Sequence, residues 1–414
     1  MSLQDIGKKI GKSLKGMYCN VVITYFNFCM PDDPLYSIKE TVQLFATAGI
    51  RNTYVESVSK GMKTRGYKYQ TGQTAMDRVN TVNSVDLFNE GCKANDHIIQ
   101  VAVERGELKP DLIVAIDTHN EYRHTKIPIG KRLRKRPCSD ILTVNGRKPK
   151  DGACYAHEYM TLQNIKMKDE PTYVLAFDRV LPLQNRTKIA EGLIEETESK
   201  TGSNITLIVA DGDYDDVDKL QMYKELGKHF VVRADKDKKV KTIVEECEEK
   251  NRNFHVEFNY IKGDKKHNVH VNLVVINLEW LKKQGIKYPL VKKQGYLTFF
   301  TDLGPEEKGE TLEKFCVQIA LFYKKRWGIE TGYRDIGGFN AKTHSLSDAM
   351  RLFLYMQAIL LYNLWIQINL EFKDDPDRKK YFRDGIPKST IKFIMEQVLI
   401  EDAIGEMRQG PLKD

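Results

Sequence analysis

Two apolar runs each stop on an aspartate, and this repeated pattern restricts the possible folds more than any other feature of the chain. Leu112-Ile-Val-Ala-Ile116 leads into Asp117, and Ile205-Thr-Leu-Ile-Val-Ala210 leads into Asp211. Short β-branched runs separated by helical patterns predict buried strands of a mixed α/β sheet. Neither run leaves room for a helix turn before its acid. Each aspartate is therefore expected at the C-terminal end of a strand, where functional groups collect on open α/β sheets. An aspartate in such a place also serves as a turn or helix-cap residue. Asp213, Asp215 and Asp216 follow Asp211 closely, and some of them are expected to cap the next helix.

Further strands are expected around Cys154 to Leu162, from Tyr173 to Phe177 and from His229 to Arg233, with helices from Thr187 to Lys200 and from Val217 to Leu226. Strand, strand, strand, helix, strand, helix, strand describes a sheet with both antiparallel and crossover connections. Residues 1–105 read as helical. Within them Ser37 to Ala46 and Asn52 to Met62, separated at Gly49, have the proportions of a helix-turn-helix, which many helical hairpins share. Residues 106–235 hold the first part of the sheet. Residues 236–305 read as a lysine-rich, β-rich insertion whose last strand, from Gly295 to Thr301, returns to the main sheet. Residues 306–372 supply long helices from Thr311 to Tyr333 and from Ser347 to Leu370, and 373–414 form a tail. A chain of 414 residues exceeds one small core and implies a large domain with insertions, or two to three modules.

The net charge of +8 leans toward a polyanionic partner. Seven cysteines, scattered and never spaced as Cys-x2-Cys, suggest reduced thiols and argue against a zinc module. The N-terminus has no apolar signal core, and the apolar stretch Leu352 to Leu370 is interrupted by Gln357, Asn363, Gln367 and Asn369. A buried helix in a cytoplasmic protein without a membrane partner is the expectation.

A helix through residues 323–334 puts Tyr323, Arg326, Glu330 and Arg334 along one stripe. The same spacing serves a solvated ion-pair face. If the strands bearing Asp117 and Asp211 are neighbours, their carboxylates converge and repel unless protonated or bound to a hard divalent cation. Glu330 would then supply a third carboxylate, enough for two ions roughly 3.5–4 Å apart to drive in-line displacement at a phosphodiester.

Taken together, the two strand-end acids, the β-rich insertion and the Tyr-x2-Arg-x3-Glu helix resemble the DDE transposases of prokaryotic insertion sequences. The resemblance runs over roughly residues 105–370 and is most specific from Tyr323 to Glu330; Lys342-Thr-His-Ser and the Tyr362-Asn-Leu-Trp365 helix are similar in style. It implies a ribonuclease H-like catalytic domain in which Asp117, Asp211 and Glu330 bind two Mg²⁺ or Mn²⁺ ions. It also implies that Tyr323 and Arg326 contact transposon-end DNA near the scissile phosphate, with Arg334 and Lys342 as further DNA contacts. A homodimer assembled on double-stranded DNA, acting on element ends and target by hydrolysis and strand transfer, follows from the same resemblance. One departure is plain: the family signature continues with a lysine seven residues after the glutamate, and this chain has Gly337 there. The rival readings are a ribonuclease H-like nuclease or resolvase that cuts without joining, and a non-catalytic DNA-binding descendant.

Three features carry less. Lys131 to Arg136 and Arg147 to Lys150 form a basic stretch that suits phosphate tracking or a solvated loop. Trp280 suits a core position, or a stacking platform for an unpaired base as in the resembled family. His119 and His124 lie close behind Asp117 and suit structural roles.

Overall fold

The computed structural model describes residues 2–26, 36–67, 69–123, 143–144, 155–165, 172–235, 237–288, 295–305, 311–345 and 347–409. The chain folds into two compact units, residues 1–107, 173–175 and 332–414 in the first, residues 108–172 and 176–331 in the second. In chain order the helices of the first unit begin with α1 (Leu3–Tyr18), α2 (Ile38–Ile50), α3 (Val55–Thr64), α4 (Gly72–Asn80) and α5 (Ser84–Glu104). The second contains β1 (Asp111–Arg123), β2 (Thr143–Val144), β3 (Tyr155–Asn164), β4 (Val174–Val180, its first residues in the first unit), α6 (Arg186–Thr201), β5 (Asn204–Ala210), α7 (Val217–Glu225) and β6 (His229–Arg233). It continues with α8 (Lys238–Glu249), β7 (Phe254–Gly263), β8 (Asn268–Asn277), α9 (Leu278–Lys283), β9 (Tyr296–Thr301) and α10 (Leu312–Lys325). Helix α11 (Trp327–Gly337) leads back to the first unit, which closes with α12 (Asp348–Glu371), α13 (Pro376–Tyr381) and α14 (Lys388–Gln409).

In the helical unit the sequence writes its own boundaries. Ser37 caps α2 in a reciprocal box: its hydroxyl accepts from the Glu40 N–H at 3.1 Å, and its own N–H donates to the Glu40 carboxylate at 2.6 Å. Gly49 does not break this helix as expected. A Cβ there would lie 2.3 Å from the Phe339 carbonyl oxygen, so glycine marks a close backbone approach inside α2. The turn comes later, over residues 51–54, and α2 is buried from Glu40 to Ile50. Helix α12 is long and apolar enough to cross a membrane, yet most of its surface is buried within the protein.

In the sheet unit the nine strands among the described residues form one sheet in the order β2-β3-β1-β5-β6-β9-β8-β7, with β4 also on β3. Strands β1, β5 and β6 run parallel, β3 antiparallel to β1, and β9 antiparallel to β6. This is the mixed α/β sheet expected from the order of elements. Strands β7, β8 and β9 extend that same sheet beyond β6, as the expected return of the last strand requires. Helix α8 had no counterpart in the β-rich reading of this segment. It buries Val240, Val244 and Cys247 at helical spacing, a period that the alternating residues of the following strands overshadow.

Candidate active site

Strands β1 and β5 pair in parallel with Ile116 opposite Ala210, so Asp117 and Asp211 are the next residues along two neighbouring strands. Strands in a sheet lie about 4.8 Å apart and matched positions share a face, which brings the two carboxylates together. They get there differently. Strand β5 stops at Ala210, and Asp211 opens a tight turn over Gly212–Tyr214 by accepting from the Asp213 N–H at 3.0 Å. Asp117, expected at a strand end, is instead in mid-strand: β1 continues to Arg123 against β3, with Asp117 opposite Thr161. The polar residues from Thr118 to Arg123 hide that continuation because both faces read as hydrophilic.

The expected single helix over 311–333 is two. Helix α10 ends at Lys325 and α11 begins at Trp327, with Arg326 at the junction between them. Tight i to i+3 bonds mark the junction: Arg326 N–H donates to the Tyr323 carbonyl at 3.0 Å, and Ile329 N–H to the Arg326 carbonyl at 2.8 Å. The guanidinium is buried. One terminal nitrogen lies 3.5 Å from Asp117 Oδ2, and the other donates to Glu330 Oε1 at 2.6 Å. Its centre lies 5.3 Å from the Tyr323 ring, which itself packs on Phe299 at 4.9 Å. The Arg326 Nε–H is buried without a hydrogen-bond partner.

These surroundings set the protonation. Burial, then the neighbouring Asp211 charge, pushes the Asp117 carboxyl up to about 7, against the pull of Arg326 and the Thr118 N–H. Burial also raises Asp211, with Asp213 and Asp235 adding to it and Arg326 opposing. A pair of carboxylates that retains a proton near neutrality is short of positive charge. Among the described residues no three acid, histidine or cysteine side chains converge tightly enough to ligate one ion. Glu330 is held in an ion pair with Arg326.

Of the other candidate residues, Tyr323 is buried in the sheet unit beside Arg326, whereas Arg334 and Lys342 belong to the helical unit and are exposed there. Lys342 N–H donates to the Thr53 carbonyl at 3.0 Å, and two residues on, His344 stacks on Tyr54 at 4.8 Å. Gly337 ends α11 with its carbonyl accepting from the Asn52 amide at 3.0 Å, and open space lies where a side chain would start. Trp280 is buried with its ring 5.3 Å from Phe254 and belongs to the core. His119 lies 3.0 Å from Glu121. The basic stretch 131–150 and His124 fall outside the described residues, apart from Thr143 and Val144.

One acid escaped the sequence reading. Asp235 follows the third parallel strand, β6, just as Asp117 and Asp211 lie on the first two, and a Cβ on Gly212 would come within 2.7 Å of its carboxylate. The signal was the same apolar run, here separated from its acid by Arg233 and Ala234.

Residues 163–364 match the family model described as Transposase DDE domain. That span takes in Asp211, Tyr323, Arg326 and Glu330 and begins after Asp117. No curated protein matches the chain. Among solved structures the chain is similar to that described as a piggyBac transposase synaptic complex with hairpin DNA, at 11% identity and a TM-score of 0.54, over 97% of this chain and 80% of that one. Residues 163–364 are thus similar to a transposase DDE domain, and the chain shares its fold with a solved transposase.

Proposed function

We propose that the protein is a DNA transposase that cuts phosphodiester bonds at the ends of its own element and joins the freed 3′-hydroxyl to target DNA. One observation carries the reading: the register of β1 and β5 sets two half-buried carboxylates side by side, next to a buried guanidinium, in a chain whose residues 163–364 match a transposase DDE domain. The chemistry of the donors suits Mg²⁺ or Mn²⁺, since both acids offer hard oxygen ligands and each is raised by burial and by neighbouring carboxylates, which a bound cation would offset. Asp117 and Asp211 would hold the metal, with Glu330 as the third ligand once it leaves Arg326. A divalent pair bound there supplies activation of the attacking hydroxyl and stabilisation of the departing oxygen.

The rest falls to the chain's own groups. Asp117 must give up its proton before it ligates, which ties occupancy to pH. Arg326 balances the charges of Asp117 and Glu330 and keeps its Nε–H unengaged, suited to a non-bridging phosphate oxygen. In the first step a water oxygen bonds to phosphorus as the bond to the 3′-oxygen breaks, which leaves a 3′-hydroxyl and a 5′-phosphate. In the second that 3′-oxygen bonds to the phosphorus of a target phosphodiester as the bond to the target's own 3′-oxygen breaks, and the proton lost by the attacking hydroxyl ends on that departing oxygen. Arg334 and Lys342 are placed by this reading on the DNA backbone, and joining two ends calls for a homodimer on double-stranded DNA in the cytoplasm of a prokaryotic cell.

The test is a plasmid carrying the gene with its flanking DNA, incubated with purified protein and Mg²⁺. Joined products that vanish with chelator support transposition. Cleaved but unjoined ends would support the nuclease reading, and intact plasmid under all metal conditions would support a non-catalytic descendant.

A further inference from the structure

The metal-ligand candidate Asp211 is carried on a loop, residues 211–216, that ordinary sequence logic leaves underconstrained: it is short, polar and bears four acids. The structure restrains it from a distant part of the chain. Lys262, on β7, reaches back so that its Nζ donates to Asp215 Oδ2 at 3.2 Å and to Asp237 Oδ2 at 3.4 Å, while lying 5.0 Å over the Phe300 ring. Its side chain is 14% exposed and that of Asp215 13%, so the pair is shielded from competing water and salt. Asp215 Oδ2 also accepts the Asp235 N–H at 2.8 Å, and the Asp215 N–H closes the turn begun at Asp211 by donating to the Gly212 carbonyl at 3.3 Å. Lys262 therefore holds the far end of the turn whose first residue is Asp211.

The tip of the β7–β8 hairpin repeats the contact on the helix that follows the loop. Gly263, at φ +108°, leaves no room for a side chain: a Cβ would lie 2.2 Å from the His267 carbonyl oxygen and 2.9 Å from Val217 at the start of α7. His267 lies 2.9 Å from Asp218, and Lys224 donates to the His270 carbonyl at 2.9 Å. Loop and helix are thus braced along one edge by the same hairpin.

We infer that Lys262 is a positioning residue for the active site, which fixes the Asp211 loop through Asp215 and couples metal binding to the docking of the β7–β8 hairpin. This rests on the proposed metal role of Asp117 and Asp211. The acids of the region, Asp211, Asp213, Asp215, Asp216, Asp235 and Asp237, are opposed by Arg326 beside Asp211, by Arg233 beside Asp235, by Lys219, which donates to Asp216 Oδ2 at 2.5 Å and to the Asp213 carbonyl at 2.8 Å, and by Lys262 at Asp215 and Asp237. Without Lys262, Asp215 keeps a single backbone donor and repels Asp235, and the turn opens away from Asp117.

The experiment measures Mn²⁺ affinity of the full chain by electron paramagnetic resonance, with DNA flanking its gene present, alongside thermal melting. Direct outer partners of metal ligands are worth about 10–100-fold in affinity; Lys262 acts one contact further out, through Asp215, so K262M should weaken Mn²⁺ binding by about 10-fold, and K262R should recover most of it. A folded K262M that binds Mn²⁺ like the wild type, with only its melting temperature lowered, would overturn the inference and leave Lys262 a structural residue. D215N, which keeps the shape of the loop, covers the case in which K262M does not fold: the same loss is expected, and wild-type affinity overturns the proposal. D117N separates the two readings. If it binds Mn²⁺ as tightly as the wild type, the metal site itself is misassigned and the inference falls with it.

Discussion

Each unit of the molecule buries a polar cluster, and the two are built on opposite terms. In the helical unit Asn95 of α5 and Asn363 of α12 clasp the start of β4: Asn363 donates to Asn95 Oδ1 at 2.8 Å and to the Val174 carbonyl at 2.9 Å, and accepts the Val174 N–H at 3.0 Å. Asn95 donates to the carbonyls of Val174 and Leu175 at 3.2 and 3.1 Å. All four amide hydrogens are used, nothing is charged, and both residues are essentially inaccessible to solvent. In the sheet unit Arg326 is buried and Asp117 and Asp211 are half-buried, but both carboxyls are raised above their ordinary range and the arginine keeps an unused N–H. A satisfied neutral network specifies one packing. A cluster that gathers raised carboxyls beside a buried guanidinium is instead the kind of environment found at functional sites.

That contrast breaks most sharply under substitution. D211N should reduce metal-dependent DNA cleavage by more than about 100-fold, since even outer partners of metal ligands are worth 10–100-fold, while its melting temperature stays near that of the wild type. N363A should do the reverse. It strands the Val174 N–H and the Asn95 carbonyl oxygen in the core, at about 1–3 kcal/mol each, so denaturant unfolding should show a loss of roughly 2–6 kcal/mol, with cleavage per folded molecule unchanged.

A smaller effect separates the clusters by pH. Because the folded value of Asp117 lies near 7, above its ordinary 3.8, its ionisation opposes folding, and stability is lost as pH rises from about 4 through 7. At roughly 1.4 kcal/mol per unit, the upper limit is about 4 kcal/mol. D117N cannot ionise, so its stability relative to wild type should rise by about 1–4 kcal/mol between pH 4 and pH 8, whereas N363A should show the same deficit at both. The smallest effect is expected at Gly337, where open space replaces the lysine of the resembled signature. G337K should change stability by less than about 0.5 kcal/mol, and a strong gain in DNA affinity would show that the missing charge matters.

The sequence reading succeeded where one local pattern sufficed. The runs ending at Asp117 and Asp211 were legible as strands, and the helix around Glu330 by its period, because each is set by alternation or spacing within a dozen residues. The adjacency of the two acids was conditional on pairing, which only the register of Ile116 with Ala210 supplies. Arg326 was legible as part of a stripe but not as the break between two helices, since every residue there is an acceptable helix former apart from Gly328. Lys262 was invisible: it lies 51 positions after Asp211 in a segment where lysines are common, and only the fold of β7 onto the sheet brings it to Asp215. Asn363 read merely as a polar interruption of an apolar helix, because its partners are on α5 and β4.

The central claim is that the raised carboxylates form a metal site, and calorimetric titration of Mn²⁺ in buffers of differing ionisation enthalpy tests it most directly. A carboxyl with a value near 7 is about half protonated at pH 7, so binding should release about half a proton per Asp117 engaged. The release should shrink toward zero by pH 8.5 and be absent in D117N, with affinity much reduced. Binding that releases no proton at pH 7 and is unchanged in D117N would contradict the account.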